Sequence, residues 1–101
     1  MMNQAQKDRF TVYAVGRSPK LKLWRARRRR RFDLAVQLTA EHFEADPTAS
    51  LEVIADRVTT TLRGSFVVTV GIALLVKIMV EWMYAWLRDN DLLPFEDSET
   101  E

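Results

Sequence analysis

One stretch limits every architecture open to this chain: Phe66 to Leu87, FVVTVGIALLVKIMVEWMYAWL, 22 residues in which only Lys77 and Glu81 are ionisable. As an α-helix it extends about 33 Å at 1.5 Å per residue, against a bilayer hydrocarbon core of about 30 Å. A charge at the centre of a span costs about 2.5 to 3.5 kcal/mol, and apolar residues return roughly 0.3 to 0.6 kcal/mol each, so the insertion energy sums to near zero. The two charges therefore need relief. At 100° per residue, Lys77, Glu81, Tyr84 and Arg88 fall within about 60° of one another, and Lys77 and Glu81, four apart, are placed to pair. The opposite side carries Val68, Ile72, Leu75, Met79, Trp82 and Trp86. Ser65, Thr69 and Ala73 repeat a small residue every fourth position, a spacing that lets membrane helices approach closely. Ser65, Thr69, Ala73, Lys77 and Glu81 are thus the expected helix-association residues. Trp82, Tyr84 and Trp86 resemble an interfacial aromatic belt.

The same helix also suits the centre of a soluble helical bundle or dimer, with Lys77 and Glu81 facing water. That arrangement needs more apolar cover than residues 32 to 62 supply, unless oligomerisation adds it. The span is the leading expectation.

Charge is segregated along the chain. The formal net charge is +1 over 101 residues, but residues 1 to 32 hold eleven Lys/Arg against one acid, and residues 33 to 65 hold six acids against two arginines. Residues 88 to 101 hold six acids against Arg88 alone. Such asymmetry points to charged partners or a membrane. Because the bases lie on the N-terminal side of the span, the positive-inside rule places the N-terminus in the cytoplasm as a single-pass topology. No apolar core of signal-peptide type follows the basic start, so the N-terminus is expected to stay where it was made.

Four segments follow from the pattern. Residues 1 to 31 read as a basic arm whose first nine residues are a loose end. Within it, Phe10 to Val15 is β-prone, Gly16 to Lys20 has turn chemistry, and Leu21 to Trp24 follows, which allows a short β-hairpin. Residues 32 to 63 read as an amphipathic helical hairpin. Its first helix ends at Asp46-Pro47, where Asp46 is suited to cap the second and Pro47 to start it. In the second helix Leu51, Ile54, Ala55, Val58 and Leu62 form an apolar stripe. Residues 64 to 88 are the transmembrane helix, and residues 89 to 101 an acidic disordered tail. The fold class is mainly all-α.

Trp24 to Phe32 packs six arginines into nine positions with an aromatic at each end. Arginines beside a membrane attract anionic headgroups at about 1 kcal/mol each, and they equally neutralise nucleic-acid phosphates without reading sequence. Lys20, Lys22, Trp24, Arg25, Arg27, Arg28, Arg29, Arg30 and Arg31 are the expected binding residues for one of these two ligands. A third role is as a plain topology determinant.

Catalysis finds no footing. The absence of cysteine removes thiolate nucleophiles and cysteine zinc sites. His42 is the only histidine, and with Glu41 and Glu44 it lacks the spaced partners of a metal site. There is no phosphate-binding glycine loop or nucleophile motif, so no cofactor is expected. The function expected is therefore a non-enzymatic membrane component, self-associating through its span and holding anionic lipid or nucleic acid through its arginines. A virion membrane protein bridging lipid, genome and other virion or membrane proteins fits this outline, as does a hole-forming lysis protein of the holin type. The alternative is a soluble helical oligomer that binds nucleic acid.

Overall fold

The structure, a computed structural model, describes residues 2 to 92. All but the first four residues of the expected acidic tail lie outside the described residues. Among these residues five helices follow one another: α1 (Gln4–Arg17), α2 (Pro19–Arg27), α3 (Arg29–Ala45), α4 (Leu51–Leu62) and α5 (Val70–Asp89). Among the described residues there is no strand.

The β-hairpin expected over residues 10 to 24 is replaced by α1 and α2, and the causes are local as well as tertiary. Asn3 Oδ1 accepts the Gln6 backbone N–H at 2.8 Å, while Gln6 Oε1 accepts the Asn3 N–H at 2.9 Å. This reciprocal capping box starts a helix inside the segment expected to be a loose end. Phe10 and Ala14, one turn apart, then bury fully in the core, which outweighs the weak β preference of FTVYAV. The Ser18-Pro19 pair is a helix junction instead of a hairpin turn. Ser18 is held extended before proline (φ −122°, ψ 106°), closes α1, and accepts the Leu21 N–H, while Pro19 takes the first position of α2.

The arginine run contains a break. Arg28, at φ −140° and ψ 62°, separates α2 from α3. In one continuous helix Trp24 and Phe32, eight residues apart, would stand about 12 Å apart along the axis. The break brings their ring centroids to 5.6 Å in an edge-on contact, and both are buried. Two large aromatics leaving water together, each worth about 1.5 to 3 kcal/mol or more, outweigh the unsatisfied geometry at one exposed residue.

The second break lies later than the sequence suggests. Asp46 ends α3, and α4 begins at Leu51 under a Ser50 cap whose Oγ accepts the Val53 N–H at 3.2 Å. Asp46 is instead used by its carboxylate, which accepts from Arg57 at 3.0 Å and from Thr48 at 3.3 Å. Ile54, Ala55, Val58 and Leu62 are buried, with Leu51 half-buried at the end of the stripe.

The apolar helix begins at Val70, not Phe66. Residues 63 to 69 form a turn and a non-helical stretch, and Thr69 caps α5 by accepting the Ile72 N–H at 3.2 Å. With 20 residues, α5 is about 30 Å long and apolar enough to cross a membrane; the core helix of a soluble protein passes the same test. Here every other helix packs on it. Phe10 meets Trp86 at 6.1 Å between centroids and Tyr13 meets Trp82 at 5.8 Å, which sets α1 antiparallel to α5. On the α3 side, the Thr39 hydroxyl, which donates to Ala35 O at 2.7 Å, also lies 3.8 Å from Met79 sulfur. Val76, Met79, Val80, Met83, Trp86 and Leu87 are buried. The apolar cover missing from residues 32 to 62 is supplied by Phe10, Ala14, Leu21 and Trp24 from the expected basic arm.

Candidate anion-binding surface

Because α2 and α3 are set at an angle by Arg28, the six clustered arginines do not lie on one face. Arg25, Arg29 and Arg30 join Lys7 around a groove of about 630 Å³ between α1 and α3. Asp8 and Asp33 share that groove, and Arg29 Nε stands 3.8 Å from Asp33 Oδ2, so part of its positive charge is already answered. Arg25 Nε is buried without a hydrogen-bond partner among the described residues.

Arg27, Arg28 and Arg31 turn the other way. With Lys20 they line a second groove of about 830 Å³ between α2 and the first half of α5, and among the described residues no acid lines it. Its remaining walls are mostly apolar: Leu23 and Trp24 from α2, and Ile72, Leu74, Leu75 and Ile78 from α5. Leu23 and Leu74 are 51% and 56% exposed. Val67 and Val70, which flank the groove residue Thr69 in the chain, are 81% and 79% exposed. Arg31 lays its guanidinium over the Phe66 ring at 4.6 Å, so the arginine end of the groove sits beside the segment leading into α5.

No family model, curated protein or solved structure matches this chain. The residues themselves must therefore carry any functional assignment.

Of the binding residues expected from sequence, Lys20, Arg27, Arg28 and Arg31 are brought together at one groove and Arg25, Arg29 and Arg30 at the other. Lys22 is exposed and lines neither of these two grooves. Trp24 is only 6% exposed; its indole N–H is buried without an acceptor among the described residues, and its ring is core as well as groove wall. The helix-association series is dispersed. Ser65 lies in the turn before α5, Thr69 is committed to the cap, and Ala73 is half-buried on the helix. Lys77 and Glu81 are both exposed, and no ion pair joins them among the described residues. A lysine preceding a glutamate by four residues has the less favourable orientation for pairing on a helix. His42 is half-buried on α3, and no group of three metal-ligating side chains occurs among the described residues.

Sequence reasoning missed the apolar half of this surface. Leu23 carries no signal of its own between Lys22 and Trp24. Leu74 and Ile78 belong to the apolar run, where nothing marks them as facing arginines instead of core.

Proposed function

We propose that the protein is a non-enzymatic helical bundle that attaches to anionic membrane surfaces through the edge formed by α2 and the start of α5. The observation that carries this reading is the mixed character of the edge: among the described residues, four cations, no acid, and exposed aliphatic side chains in one groove. A phosphate backbone in water rewards the cations and leaves Leu23 and Leu74 unused, whereas a bilayer surface uses both. Basic side chains sit at the headgroups, worth about 1 kcal/mol each, and apolar ones enter the acyl boundary. Single-stranded nucleic acid wants exposed aromatic platforms, and Trp24 and Phe32 are buried.

A second reading has one specific observation in its favour, the length and composition of α5. There α5 crosses the bilayer with the N-terminus cytoplasmic, and chains associate along Ala73, Lys77 and Glu81. It requires the other four helices to give up the core built on α5, and it places two water-exposed charges in hydrocarbon.

Flotation with phosphatidylglycerol vesicles, followed by carbonate washing, separates these readings. Attachment to anionic but not phosphatidylcholine vesicles, loss as salt shortens the Debye length from about 10 Å to about 3 Å, and release by carbonate support the surface reading. Retention through carbonate supports the span. Binding to DNA with no vesicle attachment refutes both.

A further inference from the structure

The groove between α2 and α5 has a polarity along its length. Its cations from the α2–α3 junction, Arg27, Arg28 and Arg31, gather where Arg31 covers Phe66, just before α5 begins. Leu74, Leu75 and Ile78 continue along α5 away from that end, opposite Leu23. A flat attachment surface needs no groove, yet this one is an open groove of about 830 Å³, within the roughly 300 to 1,000 Å³ of sites that hold small ligands. Three arginines at one end and aliphatic walls beyond, with Lys20 from the first turn of α2 as the fourth cation, together complement an oxyanion on a hydrocarbon chain.

We infer that the groove binds one molecule of an anionic single-chain lipid, its phosphate or carboxylate held by Arg27, Arg28 and Arg31 and its chain lying along Leu23, Leu74, Leu75 and Ile78. The assignment rests on the anionic-membrane reading for the source of the ligand and goes beyond it in requiring a saturable, one-to-one site. Neither half of the ligand suffices alone. The headgroup by itself meets solvent-exposed cations whose individual contributions are small, and a neutral chain leaves the arginines unanswered.

Calorimetric titration of the full chain with lysophosphatidylglycerol below its micelle concentration tests the site, with lysophosphatidylcholine and glycerol phosphate as comparators. Saturable binding of one lysophosphatidylglycerol is expected, with the choline lipid and glycerol phosphate each weaker by about tenfold or more. Gly71→Phe plugs the groove: a Cβ at Gly71 meets only Thr69 Oγ1, at an ordinary 3.7 Å, so a side chain fits. It is expected to weaken binding by about tenfold or more, and Leu74→Gln, at an exposed position, to weaken it without disturbing the core. No saturable binding below the micelle concentration, equal binding of the two lysolipids, or undiminished binding by both variants overturns the site. Wild-type flotation on phosphatidylglycerol vesicles run in parallel distinguishes the failures. Flotation without lysolipid binding overturns the groove site and leaves surface attachment standing, and lysolipid binding without flotation overturns surface attachment and supports the groove.

Discussion

Phe10→Ala separates a packed bundle from a span with a loose basic arm more sharply than any change in α5 itself. Phe10 is fully buried and meets Trp86 edge-on at 6.1 Å. Truncating a buried phenylalanine costs about 3 to 5 kcal/mol through lost transfer energy and the cavity left behind. Of that, about 0.5 to 1.5 kcal/mol belongs to the aromatic pair. At about 4 to 8 °C per kcal/mol for a domain of this size, the melting temperature should fall by on the order of 12 to 40 °C, a large share of a total stability of about 5 to 15 kcal/mol. Thermal unfolding followed by far-ultraviolet circular dichroism measures it. Should the alanine variant not fold at all, Phe10→Leu keeps most of the volume and gives a smaller, readable loss. Val12→Ala is the control, two residues away on the same helix and 71% exposed, with an expected cost within about 0.5 kcal/mol. If Phe10→Ala and Val12→Ala melt together with wild type, residues 4 to 17 do not pack on α5 and the bundle is refuted.

Three further outcomes are expected. Replacing Arg27, Arg28 and Arg31 with Gln should weaken attachment to anionic vesicles by about 3 kcal/mol, roughly a hundredfold, and the matched change at Arg25, Arg29 and Arg30 by less, because Asp8 and Asp33 already offset that groove; the reverse order in a vesicle-binding titration would sink the choice of edge. Lys77→Ala and Glu81→Ala should each shift the denaturant midpoint by no more than about 0.5 kcal/mol in stability, since both side chains face water; a loss above about 2 kcal/mol for either would show a buried pair instead. Ser50→Ala should cost about 1 kcal/mol by removing the cap on Val53, whereas Asp46→Ala should cost less, because its pair with Arg57 is solvent-exposed; equal melting temperatures for Ser50→Ala and wild type would argue that α4 starts elsewhere.

How far the chain could be read from its residues varies with what holds each element. The stripe of α4 is legible because Ile54, Ala55, Val58 and Leu62 fall at helical spacing and one side of the helix meets the core. The Ser18-Pro19 boundary is legible as a break, although not as a junction between helices, since proline constrains Ser18 whatever follows. The capping box at Asn3 and Gln6 lies in a polar stretch whose composition alone reads as a loose end.

Among the candidate site residues, the positive charge of Lys20 to Arg31 needed only composition to find. Its division between two grooves needed the break at Arg28, and that break exists because Trp24 and Phe32 pack together. The charge of the arginine run, the apolar length of α5 and the stripe of α4 were thus determined by sequence alone, because each depends on residue type and on spacing within one helix. Tertiary structure decided that Phe10 to Val15 is helical and that α5 packs against α1, α2, α3 and α4. In each case the deciding energy is burial against residues tens of positions away: Phe10 on Trp86, Tyr13 on Trp82, Thr39 beside Met79. An apolar helix has the same pattern whether lipid or other helices cover it, so only the partners of Val76, Met79, Val80 and Met83 could say which cover this chain provides for itself.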